Sequence, residues 1–79
     1  MKSILTKREK EIFELLLLNY NVYEIAKEFN ISCKTVRNHI SNVIQKLDVA
    51  DRSQAIILLL RLNELYLWIL SGGRYDKEI

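Results

Sequence analysis

The chain has 79 residues, a formal net charge of +2 and 49% hydrophobic residues, a composition typical of one small globular domain and too apolar for a disordered chain. Its single cysteine, Cys33, excludes an internal disulfide, and because only His39 could join it as a ligand, we expect no zinc site. The apolar runs are too short to span a bilayer and no signal peptide is visible, which predicts a cytoplasmic protein.

The scarcity of turn-forming residues favours helices. There is no proline, and the two glycines are adjacent, at Gly72 and Gly73. We therefore predict an all-α domain over residues 1–63, with helices at about 7–18, 22–29, 33–47 and 52–63. Residues 64–79 are predicted to form a C-terminal extension with a frayed end. Its apolar stretch LYLWIL (65–70) could extend the fourth helix or enlarge a dimer interface.

Polar residues mark the predicted ends of the helices. Thr6 followed by Glu9 is a capping box at the start of the first helix. Asparagine and aspartate are, after glycine, the residues that best tolerate the left-handed conformation in which many helices stop. The other predicted caps are Asn21, which has Glu24 three residues later, Ser32 and Asp51, and the predicted stop positions are Asn19, Asn30 and Asp48.

The third predicted helix has two distinct faces. Its apolar positions recur at helical spacing and would pack against the first two helices. The chain carries no acidic residue from Phe29 to Leu47, which suits a surface that approaches phosphates. The apolar stripe comprises Val36, Ile40, Val43, Ile44 and Leu47, and the polar face comprises Lys34, Asn38, Ser41, Asn42 and Gln45, with Thr35 and Arg37 at its borders.

The short connection before this helix is typical of a helix-turn-helix. Only Asn30, Ile31 and Ser32 separate Phe29 from Cys33, so the second and third helices must cross steeply. In that motif the second helix of the pair enters the major groove of DNA and presents its N-terminal half to the bases.

Individual side chains on this helix suit particular DNA contacts. Arg37 can donate to guanine O6 and N7, and Asn38 can pair with adenine N6 and N7. Lys34 and Thr35 suit phosphates, and Lys46, further along the helix, is expected to touch the DNA backbone. We interpret His39 as packed or phosphate-facing rather than catalytic, because no partner group accompanies it.

The sequence resembles the LuxR/GerE-type helix-turn-helix family. The resemblance covers about Leu5 to Leu62 and lies in LTKREKEIFELL, EIAKEFNIS, KTVRNHISNVIQKL and the LxVxxRxQA of Leu47 to Ala55. It implies a four-helix DNA-binding fold in which the third helix reads DNA and the fourth mediates dimerisation. It also implies a sporulation regulator, through KTVRNHISN and QKL. By position it implies that Arg37, Asn38 and Ser41 read bases and that Lys34, Thr35, His39 and Lys46 lie near phosphates.

The fourth helix carries its own indication of pairing. Ala55 to Leu60 reads AIILLL, so a helix here would be apolar on every side. If one side packs against the core of the domain, the apolar residues on the opposite side still need to be covered. Either the LYLWIL segment or a second copy would cover the remainder, and we favour a homodimer on Ile57, Leu58, Leu60 and Arg61. Such a dimer would place two reading helices about 34 Å apart on an inverted repeat.

Several function classes remain open. The leading one is a dimeric, sequence-specific transcription regulator, with RNA polymerase as a further candidate partner. The chain could instead be the DNA-binding output domain of a two-component response regulator, or a protein-interaction module that pairs with another regulator. An enzyme is not expected, and neither a cofactor nor a metal site is predicted, because paired carboxylates, an activated nucleophile, a phosphate-cradling loop and metal-ligand spacing are all missing.

Overall fold

A computed structural model describes residues 4–62, and within this range the chain forms four α-helices and no strand. The predicted all-α class is confirmed. Within the described residues, the first helix ends at Leu17 and the fourth at Arg61. The predicted extension at 64–79 lies outside the described residues. The helices are α1 (Lys7–Leu17), α2 (Val22–Phe29), α3 (Cys33–Leu47) and α4 (Arg52–Arg61).

All four helices begin at the predicted caps. The Thr6 hydroxyl accepts from the Glu9 amide at 3.1 Å, and Glu9 Oε1 accepts from the Thr6 amide at 2.9 Å. Asn21 and Glu24 form a second reciprocal box, with both distances 2.8 Å. The remaining two helices start at single side-chain caps: the Ser32 hydroxyl accepts from the Thr35 amide, and the Asp51 carboxylate accepts from the Gln54 amide. Each cap satisfies an amide that the first helical turn leaves without a partner.

The three predicted stop positions are left-handed, as expected. Asn19 has φ 70°, Asn30 has φ 55° and Asp48 has φ 56°, and these are the positive-φ residues found in the described part of the chain. After Asn30, the amide of Ile31 donates to the carbonyl of Ala26, which closes the turn between α2 and α3. The connection therefore turns sharply without glycine.

The core is built around α3, which packs against each of the other three helices. Ile12 and Phe13 of α1 are fully buried, as is Ile25 of α2. Half-buried Ile31 covers the core beneath the turn. The remaining buried hydrophobic residues are Leu5, Ala26, Val36, Ile40, Val43, Ala55 and Leu59. Because α3 is both the centre of the core and the predicted DNA-reading helix, its outward face is fixed by packing on the opposite side.

Between residues 4 and 62, no helix has the length and the apolar character that crossing a bilayer would require.

Candidate nucleic-acid interface

The two faces predicted for α3 are present. Val36, Ile40 and Val43 are buried, while Ile44 and Leu47 are half-buried and pack at the edge of the core. The opposite face carries amide, hydroxyl and cationic groups and, over the whole helix, no carboxylate. Its exposed residues are Lys34, Arg37, Asn38, Ser41, Asn42 and Gln45.

The three predicted base-reading residues are exposed together. Arg37 and Ser41 are four residues apart and share one flank of α3. Asn38 lies nearer the centre of the outward face. None of the three has a side-chain ion pair or hydrogen bond recorded within residues 4–62. Their polar groups are thus available to an external partner.

The start of α3 carries two of the predicted phosphate-contacting residues. Lys34 is exposed in the first turn. Thr35 is half-buried, its amide donates to the Ser32 hydroxyl at 3.0 Å, and the two hydroxyl oxygens lie 2.9 Å apart. Thr35 is therefore held by the cap, with its hydroxyl next to that of Ser32.

Lys46 is part of an intramolecular ion pair that the sequence did not reveal. Its Nζ donates to Glu9 Oε1 at 2.7 Å and to the carbonyl oxygen of Ile4 at 3.2 Å. Two of its three N–H groups are thereby used within the protein. Half-buried His39 shares this flank of α3, since it lies four residues after Thr35 and seven before Lys46.

Glu9 is the only buried charged residue among residues 4–62, at 5% exposure. Burial raises its pKa, but hydrogen bonds from Lys46 and Thr6, together with the positive charge of Lys46, more than offset this, so the pKa lies below its ordinary value. The carboxylate consequently stays ionised and joins the start of α1 to the far end of α3. Such a link orients α3 relative to the rest of the domain.

An open groove runs along the other flank of α3. It has a volume of about 440 Å³ and is lined by Val22, Arg37, Ile40, Ser41, Ile44 and Arg52. Two arginines from different helices, Arg37 and Arg52, thus line the groove together with three apolar residues. Arg52 was not among the predicted contact residues. Its sequence signal is a cation in the first turn of a helix, a position where the helix dipole favours acids.

The helix-turn-helix is braced from α1. The guanidinium carbon of Arg8 lies 4.1 Å from the centre of the Phe29 ring, at the end of α2. Arg8 also lies 3.7 Å from the Glu11 carboxylate, an exposed pair that contributes little by itself. The stacked arginine covers the Phe29 ring next to the turn.

The outward face of α4 is partly apolar. Ile57 is 57% exposed and Leu62 46% exposed. Leu58 is half-buried and Arg61 is exposed. Arg61 is four residues after Ile57 and three after Leu58, so it lies beside both on the helix surface. Leu60, by contrast, packs against the domain's own core. Of the four residues predicted for dimerisation, Ile57, Leu58 and Arg61 thus share a surface that could contact a second molecule.

Comparison with known proteins gives consistent matches. The family model described as "Bacterial regulatory proteins, luxR family" matches residues 3–59. The chain is 61% identical over 66 residues to "Spore germination protein GerE" of Bacillus subtilis, covering 84% of this chain and 89% of that protein. It is 45% identical over 61 residues to "Response regulator protein VraR" of Staphylococcus aureus, but spans only 29% of that longer protein.

Similarity also extends to a solved structure, titled "Structure of Transcription factor, GerE". The TM-score is 0.81 at 61% sequence identity, and the match covers 84% of this chain and 98% of the other.

Proposed function

This chain belongs to the luxR family of bacterial regulatory proteins, and from that membership we propose that it is a transcription regulator that binds specific DNA sequences with α3 in the major groove. The observation that carries the proposal is the outward face of α3, which is exposed, free of carboxylates and anchored by a buried apolar face behind it. A face that only needed to be soluble would carry both signs of charge, as α1 does.

Within this interface, different side chains would contact the bases and the phosphates of the DNA. Arg37, Asn38 and Ser41 would contact base edges, because they are exposed within little more than one turn of α3, ahead of its C-terminal third. Lys34 and Thr35 would contact phosphates from the first turn, and His39 from the flank. Lys46 would reach a phosphate only with its remaining N–H, and its charge is largely neutralised by Glu9.

We propose that the protein binds DNA as a homodimer through α4. The support is the exposed apolar side chain of Ile57, with Leu58 and Arg61 beside it on a helix whose opposite side is buried. Leu60 would contribute less, since it is engaged in the core of its own domain. A two-fold axis along α4 would present two copies of α3 to successive major grooves and favour an inverted-repeat site.

The proposed target genes serve spore formation or germination. This rests on the 61% identity to a protein named for spore germination, over 89% of that protein's length. The second candidate role, as the output domain of a response regulator, is favoured by the 45% identity to one such protein. RNA polymerase is the proposed protein partner at promoters, and a regulator working on bacterial chromosomal DNA would act in the cytoplasm.

The proposal is tested by selecting binding sites from a random DNA pool with the purified chain, and then with Arg37→Ala and Asn38→Ala. Each substitution removes base contacts and is expected to weaken binding to the selected site by about 1–3 kcal/mol and to relax preference at particular bases. Gln45→Ala is the matched control, because Gln45 is exposed on the same face but lies two turns beyond Asn38.

Two outcomes would contradict the proposal. The first is equal binding of all sequences by the unaltered chain. The second is a loss in Gln45→Ala as large as in Arg37→Ala and Asn38→Ala, which would mean that the N-terminal half of α3 does not read bases. A chain that only captures another regulator would show neither sequence preference nor steep weakening with salt.

A further inference from the structure

The groove beside α3 contains one cationic residue, Arg52, that the base-reading role does not use. It is lined by the first residue of α2, Val22, by one flank of α3, and by the first residue of α4, Arg52. Arg52 is exposed and has no ion pair recorded among residues 4–62. The neighbouring carboxylate of Asp51 accepts from the Gln54 amide at 3.0 Å and does not line the groove.

We propose that this groove holds the sugar–phosphate backbone of one DNA strand, and that Arg52 is a phosphate-contacting residue. The inference rests on the proposed DNA-binding function and extends the interface from α3 to α4. Arg52 would donate to phosphate oxygens, and the apolar floor of Val22, Ile40 and Ile44 would pack against the CH groups of deoxyribose.

The position and chemistry of the groove favour a DNA backbone over other occupants. Arg37 and Ser41 line the groove and also border the outward face of α3, so a strand whose bases meet that face must pass close by. The lining residues carry two positive charges and no carboxylate, which complements a phosphodiester. A recognition helix in the major groove lies between two phosphate backbones, and here each flank of α3 would face one of them.

The test measures binding of the full chain to two duplexes, one selected by the unaltered protein and one with the same bases scrambled, over a range of salt concentrations. Arg52→Gln is expected to weaken binding to both duplexes by the same factor, roughly eightfold per lost contact at 0.1 M salt. The slope of log affinity against log salt should become shallower by about 0.9 per subunit. Lys27→Gln removes the same charge from the opposite end of α2 and should leave the slope unchanged.

A second variant makes the test independent of whether Arg52→Gln folds. Val22→Glu places a carboxylate in the groove at the first position of α2, where the helix dipole tolerates an acid. It should weaken binding to both duplexes through repulsion. Neutral methylphosphonate linkages can replace the phosphates of the DNA one at a time. At one position, the replacement should weaken DNA binding by the unaltered chain but not by Arg52→Gln.

The possible outcomes separate this inference from the proposed function. In the first case the unaltered chain prefers the selected duplex. If Arg52→Gln then has the same salt slope as the unaltered chain, or Val22→Glu binds DNA as tightly as the unaltered chain, only the role of the groove is overturned. A loss confined to the selected duplex would make Arg52 a base reader and also overturn it. If altering Arg52 changed the oligomeric mass of the protein, the groove would hold a second copy of the chain instead of DNA, and the proposed role would be overturned. Equal binding of both duplexes by the unaltered chain would instead overturn the proposed function.

Discussion

Replacing Lys46 by methionine should destabilise the domain, because it leaves the Glu9 carboxylate buried without its partner. Glu9 is 6% exposed at the side chain and Lys46 35%, and their polar atoms are 2.7 Å apart. Breaking a fully buried pair costs about 3–5 kcal/mol, and an exposed pair contributes about 0.2–1 kcal/mol. Because Lys46 is one-third exposed, we expect Lys46→Met to lower the free energy of unfolding by about 1.5–3 kcal/mol at neutral pH.

Urea denaturation of a double-mutant cycle measures this contribution. Glu9→Gln keeps an oxygen that can accept from the Thr6 amide, so it retains the cap while removing the charge. It should therefore cost less than Lys46→Met. Adding Glu9→Gln to Lys46→Met should recover part of the loss, because no uncompensated charge then remains buried.

The stability difference between the unaltered chain and Lys46→Met should become smaller as the pH falls. In the unaltered chain the pKa of Glu9 lies below the ordinary value of 4.5, so the stabilisation is present above that pH and is lost as the pH falls through the lowered pKa. In Lys46→Met, burial raises the pKa of Glu9, and the carboxyl takes up a proton at higher pH. The two proteins should therefore converge in stability in acid. Equal stabilities at neutral pH, or a difference that stays constant down to about pH 3, would refute this reasoning.

Two further changes test the proposed dimer surface and the helix ends. Ile57→Glu should convert the dimer to a folded monomer in sedimentation equilibrium, because it places a charge on the exposed apolar face of α4; a dimer of unchanged affinity would contradict the proposed interface. Asp48→Gly should stabilise the domain against urea by up to about 1 kcal/mol relative to Asp48→Ala, because the left-handed conformation at φ 56° penalises a Cβ; equal stabilities of the two variants would contradict this account.

The parts of the fold that depend on neighbours in the sequence could be predicted. The Thr6 and Asn21 boxes involve residues three apart, and a left-handed stop needs only one suitable residue, as at Asn30. The apolar stripe of α3 follows from helical spacing alone. In each case the interaction is complete within one or two helical turns, so the residues that make it can be recognised before the helices are packed.

The missed features depend on how the helices cross. Glu9 and Lys46 are 37 positions apart, and their contact exists only because the start of α1 lies beside the end of α3. The groove at Arg52 requires three helices in place. Leu60 illustrates a third limit: in an all-apolar stretch every face qualifies for the core, and only packing determines that Ala55 and Leu59 point inward.

The separation of α3 into a buried stripe and an exposed polar face has a consequence for how such proteins diversify. Asn38, Ser41 and Asn42 are exposed and form no side-chain hydrogen bond or ion pair within residues 4–62, whereas Val36 and Val43 are fully buried. A library that randomises the three outer positions should therefore yield mostly folded members with altered DNA preferences, while a library at the two valines should lose folding first. A duplicated copy could acquire new promoters by a few substitutions without compensating changes elsewhere in the chain.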